Sequence, residues 1–114
     1  SGSSWLDVLY ATIEGIYGAI YVGASARFSM RDSRVVGTVA QDAIIVEEQG
    51  QVSLLANLFE GNAYAGVSFA GTSGGVVAFN RFTGNLAGVV VMDTAEPELR
   101  ENQMQGNGDD VLRL

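Results

Sequence analysis

The chain has 114 residues, the length of one domain, and 47% of them are hydrophobic, enough to build a core. Fifteen residues are Gly and only Pro97 is Pro, a balance that suits short strands and tight turns. It argues against a helical bundle, where each interior Gly costs about 1 kcal/mol relative to Ala. Thirteen acidic residues against six basic ones, all Arg, leave a formal charge of −7, which repels a phosphate backbone and excludes nucleic acid as a natural partner.

Ser1-Gly2-Ser3-Ser4 reads as a linker or tag remnant, followed by one domain over residues 5–114. From there the chain repeats. A motif Asn-x-Phe/Met-x-Gly-Asn occurs at Asn57–Asn62, Asn80–Asn85 and Asn102–Asn107, and these copies hold all six Asn residues. Weaker copies begin at Ala11 and Ser33. The Gly column is Gly15, Gly37, Gly61, Gly84 and Gly106, so successive spacings are 22, 24, 23 and 22 residues. A period in this range, with a Gly and a large apolar residue in register, marks a solenoid.

The elements follow in chain order. Coil one offers Leu6 and Val8, then Ile13, then Ile20-Tyr21-Val22; coil two offers Phe28 and Met30, then Val35, then Ile44-Ile45-Val46. Coil three offers Val52 and Leu54, Phe59, and Val67-Ser68-Phe69; coil four offers Gly75 and Val77, Phe82, and Val89-Val90-Val91. Coil five offers Pro97 and Leu99, Met104, and Leu112-Arg113-Leu114 as its triplet. Side chains alternate along a strand, so each coil sends one or two residues per strand to a shared interior. Stacking then sets like on like, with Phe59 over Phe82. The Gly column is expected at positive φ, and the Asn columns are expected to hydrogen-bond along the axis.

The run Asn80-Arg81-Phe82-Thr83-Gly84-Asn85 followed by Gly88-Val89-Val90-Val91 resembles the parallel β-helix repeat of pectate-lyase-like proteins, mannuronan C5-epimerases, carbohydrate-binding and sugar-hydrolase modules and periplasmic copper-processing β-helices. The resemblance covers residues from Val8 to Leu114 and implies an all-β, right-handed, single-stranded parallel β-helix of about five coils with three short strands each. It also implies an extracytoplasmic setting and a polysaccharide or protein partner. Enzymes of this kind work on the outer face of one sheet, with clustered carboxylates, often calcium, and a basic residue.

That cluster is missing from the pattern here. The expected outward residues of the triplet strands are Tyr21, Ile45, Ser68, Val90 and Arg113, none of them a carboxylate. Glu47 and Glu48 give too few oxygens for calcium, and the acids from Asp93 to Asp110 read as a solvated face. The column Tyr10, Asp32, Ala56, Phe79 and Glu101 should point outward, with Asp32 paired to Arg31 or Arg34 at the surface. Without His or Cys, copper ligation and the commonest general base are lost, and Met30 and Met104 read as core. No catalytic, cofactor or metal residues are therefore expected, and no apolar run is long enough to span a membrane. The expectation is a non-catalytic structural or binding module of a larger protein; the alternative is a fragment of a polysaccharide lyase, epimerase or hydrolase. Its expected contact surfaces are the outer stripe Tyr21, Ile45, Ser68 and Val90, and the coil ends at Leu6, Val8, Leu112 and Leu114. The ends suit coaxial stacking, between copies as a homo-oligomer or onto further coils.

Overall fold

A computed structural model describes residues 5–114; the expected tag remnant at 1–4 lies outside the described residues. The chain forms fifteen strands, three per coil. Coil one holds β1 (Leu6–Leu9), β2 (Thr12–Glu14) and β3 (Ile20–Val22); coil two holds β4 (Arg27–Arg31), β5 (Arg34–Val36) and β6 (Ile44–Val46). Coil three holds β7 (Gln51–Leu55), β8 (Leu58–Glu60) and β9 (Ala65–Phe69). Coil four holds β10 (Gly74–Ala78), β11 (Arg81–Thr83) and β12 (Ala87–Val91); coil five holds β13 (Glu96–Arg100), β14 (Gln103–Gln105) and β15 (Asp109–Arg113). Strands three apart in sequence pair in parallel, so the coils build three five-stranded sheets, called A, B and C after the first, second and third strand of each coil. The protein is an all-β parallel solenoid. No helix among the described residues is long and apolar enough to cross a membrane.

The core is the predicted one. Met30, Leu54 and Val77 of sheet A, Val35, Phe59 and Phe82 of sheet B, and Ile44, Val67 and Val89 of sheet C are fully buried. Phe59 and Phe82 stack with ring centroids 4.9 Å apart and planes 13° from parallel. At the two ends the same columns are less covered: Val8, Ile13, Leu99 and Met104 are half-buried, and Leu6 is exposed. In the Leu6 column, Gly75 departs from its apolar neighbours for a backbone reason. Its φ is 122°, and a Cβ there would lie 2.0 Å from the Val52 carbonyl oxygen.

One register expectation is corrected. The last triplet is Val111-Leu112-Arg113, because Val111 pairs with Val89, Leu112 with Val90 and Arg113 with Val91. Leu112 therefore continues the outer column of sheet C, and Leu114 lies beyond the strand, exposed. The loop from the motif Gly to the triplet varies from coil to coil, so position counting alone leaves this frame open by one residue.

Three corners separate the sheets, and each is made by one residue in the left-handed region. The Gly column makes the second corner with φ between 61° and 69° from Gly61 to Gly106, as expected. The first corner was not anticipated as left-handed: Tyr10, Asp32, Ala56, Phe79 and Glu101 all have φ between 52° and 59°. The third holds Ala24, Glu48, Gly71 and Asp93. A single left-handed residue between extended segments turns the chain sharply and reverses which side the next residue faces.

That reversal drives the Asn side chains inward. Asn57, Asn80, Asn62 and Asn85 are buried. The Asn80 side chain makes four bonds: its Oδ1 accepts from the Asn57 N–H at 2.9 Å and Asn57 Nδ2 at 3.0 Å. Its Nδ2 donates to the Leu54 carbonyl at 2.9 Å and to Asn102 Oδ1 at 3.2 Å. The second ladder runs the same way from Asn62 through Asn85 to Asn107. Where Asn gives way to Ser33 and Thr38, the ladders carry on: Ser33 N–H donates to Asn57 Oδ1, Thr38 N–H to Asn62 Oδ1, and Ala11 N–H to Ser33 Oγ.

Truncating Phe59 or Phe82 to Ala is expected to cost about 3–5 kcal/mol by denaturant unfolding, the range for large core deletions. A loss below about 1 kcal/mol at both positions would contradict the packed stack. Asn80→Asp removes both donors and buries a carboxylate, so its pKa should rise above the unfolded value. Its stability should be best at low pH and fall as pH climbs through and above the ordinary carboxylate range near about 4; a melting temperature independent of pH would contradict the buried ladder.

Candidate functional site

The expected outer stripe exists as a register column. Tyr21 pairs with Ile45, Ile45 with Ser68, and Ser68 with Val90, with Leu112 now added. It is uneven. Tyr21 is exposed, Ile45, Val90 and Leu112 are half-buried, and Ser68 is only 5% exposed, a short side chain sunk between larger neighbours. The stripe is a slope with a dip at its centre, and it holds no ionisable group other than the Tyr21 phenol.

A concave feature lies at the first corner, between sheets A and B. A groove of about 500 Å³ runs there across coils two to five. One wall is the left-handed column of Asp32, Ala56, Phe79 and Glu101; the other is the first residue of each sheet-B strand, Arg34, Leu58, Arg81 and Gln103. The floor is the first ladder, Ser33, Asn57 and Asn80, whose polar atoms are already committed to one another. A ligand therefore meets the walls.

Those walls carry two guanidinium groups, two carboxylates, one carboxamide and one phenyl ring. Arg81 Nε donates to Gln103 Oε1 at 3.2 Å, which orients the guanidinium along the wall. The expected pairing of Asp32 with Arg31 or Arg34 is not found: among the described residues the only ion pair is Glu98 with Arg100, both well exposed. Phe79 stands 61% exposed. A bulky residue in the left-handed region is strained by about 1 kcal/mol or more, and solvent exposure forfeits its burial as well. Tyr10 repeats this arrangement in coil one, 77% exposed at φ 54°.

Asp32 and Glu101 face the same groove but stand three coils apart in one column. At about 4.8 Å per coil that separation is roughly 14 Å, beyond the 5–9.5 Å of a glycosidase carboxylate pair. Other acids have structural work. Glu48 Oε1 accepts from the Ala24 N–H at 2.9 Å and Asp93 Oδ2 from the Gly71 N–H at 2.9 Å, each tying the third corner to the preceding coil. A second hollow at that corner is lined by Ala24, Ser25, Glu48, Gln49, Gly71 and Thr72, with no aromatic or basic group. Among the described residues no three acids gather into a metal-holding group.

A family model for the right handed beta helix region matches residues 1–113. The chain belongs to this family. No curated protein and no solved structure matches it. The match accounts for the handedness of the coil and for the repeat, and the β-helix fold serves enzymes and non-enzymes alike.

The groove was legible only in part. The outward column with Tyr10 and Phe79 follows from counting, and so does the alignment of Arg34 with Arg81 at the second motif position. The missing signal was the left-handed corner: nothing in Phe or Tyr announces positive φ. Because Phe79 gains nothing by its conformation or exposure, Phe79→Asn is expected to leave stability unchanged or raise it by up to about 1 kcal/mol. A loss exceeding about 1 kcal/mol in chemical denaturation would mean the ring supports the fold instead.

Proposed function

We propose that this β-helix is a non-catalytic structural and binding module of a larger, extracytoplasmic protein, and that the first-corner groove holds a polysaccharide chain. The observation that carries this reading is Phe79: a strained, exposed ring lining the same groove as Arg34, Arg81 and Gln103, over a floor of fixed polar side chains. An aromatic face offers a platform for the apolar face of a sugar ring, while guanidinium and carboxamide groups hydrogen-bond hydroxyl or carboxylate substituents in fixed directions. The wide spacing of Asp32 and Glu101 favours binding over bond cleavage.

Titration with a panel of neutral and acidic polysaccharides, followed by amide resonances, is expected to move the signals of Phe79, Arg81 and Gln103. Phe79→Ala and Arg81→Ala should each weaken binding about tenfold or more, the loss of one well-placed contact. A panel that moves no groove resonance would refute the reading. Millimolar calcium is expected to leave the melting temperature unchanged, since a cation held only by the folded state must raise it; a rise of several degrees would refute the calcium-free reading.

The Arg and carboxylate lining favours a second reading, in which the groove is one stretch of a catalytic cleft shared with other coils. Cleavage or epimerisation of a polysaccharide by this chain, lost in Asp32→Asn or Glu101→Gln, would select it over the first.

A further inference from the structure

The groove between sheets A and B separates charge by wall. Both of its carboxylates, Asp32 and Glu101, stand on the corner wall, and both guanidinium groups, Arg34 and Arg81, on the strand wall. Asp32 and Arg34 belong to one coil, yet no ion pair joins them; among the described residues only Glu98 and Arg100 are paired. The charges are not spent on one another, and a field runs across the groove from wall to wall.

The spacing along the groove is equally definite. Arg34 pairs with Leu58 and Leu58 with Arg81, so the two cations stand two coils apart, about 9.6 Å. The coil between them is apolar on both walls, with Ala56 on one and Leu58 on the other. Gln103 lies one coil beyond Arg81, and its Oε1 accepts from Arg81 Nε at 3.2 Å. That bond leaves the two terminal nitrogens of the guanidinium to fork around a carboxylate. Glu101 stands in the same fifth coil on the opposite wall.

A 1,4-linked pyranose chain in its flat twofold form advances by roughly one coil spacing per ring and turns successive rings through half a revolution. An acid on every ring then alternates between the two edges of the chain; an acid on every second ring keeps to one edge. Laid along the groove with two carboxylates on Arg34 and Arg81, a chain acidic at every ring brings its other carboxylates to Ala56 and to Glu101. The first gains no partner, and the second meets a like charge. With an acid on every second ring, the edge toward Asp32 and Glu101 carries hydroxyl groups, which donate to carboxylates.

We infer that the groove selects a polysaccharide in which acidic and neutral rings alternate, with all carboxylates on one edge, and rejects a chain acidic at every ring. This inference rests on the polysaccharide reading of the groove and narrows it to one charge pattern.

Three β-1,4-linked glucose hexamers test it, sharing one backbone and differing only at C6: unoxidised, oxidised at alternate rings, and oxidised at every ring. In calorimetric titration at fixed ionic strength, the alternate hexamer should bind about tenfold more tightly than the unoxidised one, through charge-assisted contacts to the two Arg residues. It should bind about fourfold more tightly than the fully oxidised one, the Coulomb cost of two like charges a strand spacing apart in water. Arg34→Gln should remove most of the first margin, and Glu101→Gln should shrink the second to less than about twofold; both side chains are exposed, so the fold tolerates either change. A fully oxidised or unoxidised hexamer that binds as tightly as the alternate one overturns the inference and leaves the groove a polysaccharide site. A second margin that Glu101→Gln does not alter overturns it as well. Failure of all three hexamers to bind overturns it outright, while the wider polysaccharide panel decides the groove reading separately.

Discussion

Every layer of this protein rests on the hydrogen bonds that one coil makes to the next. A three-residue strand has no stability alone, and a coil of some 22 to 24 residues cannot enclose a core. Stacked in register, each strand becomes part of a five-stranded parallel sheet, and each apolar side chain finds its counterpart one coil away. The Asn ladders lock that register at two corners, where the backbone leaves the sheets and its polar groups would otherwise be buried without partners. A one-residue slip would offer an apolar or outward side chain where the amide must be. The ladders thus supply uniqueness as well as binding energy, since a partly satisfied buried polar network costs more than an apolar one.

Corner chemistry then decides what faces the solvent. The second corner uses Gly throughout, so it adds no side chain to the surface. The first uses residues with side chains despite positive φ, and those side chains become one wall of the groove. The third uses Glu48 and Asp93 to bind the preceding coil's backbone. One backbone device, repeated at three places, yields a bare turn, a groove wall and an acidic tie. The difference lies in which residues occupy the left-handed position.

Repetition also makes the solenoid polar along its axis. In each Asn-to-Asn step the backbone N–H and Nδ2 of one coil donate to the Oδ1 of the next, whereas in coil two Ser33 and Thr38 donate only their backbone N–H groups onward. Coil one departs from the pattern, since Ala11 and Ile16 offer no side-chain acceptor at the two ladder positions.

The sequence by itself determined the period, the three-strand coil, the interior columns and the Asn ladders, because these features repeat and repetition turns a weak local signal into a column. Phe59 over Phe82 and Asn57 over Asn80 could be paired by subtraction alone. It failed at the last triplet, placed one residue late because the Gly-to-triplet spacing runs from five to seven residues over the coils, and this hid Leu112 from the outer column. Only the tertiary structure decided the groove. Its walls join residues on two sides of a corner, and their convergence depends on the left-handed conformation of Asp32, Ala56, Phe79 and Glu101. Asp32 tolerates that conformation locally, but Ala56, Phe79 and Glu101 have no preference for it; there it is imposed by the hydrogen bonds to the coils above and below.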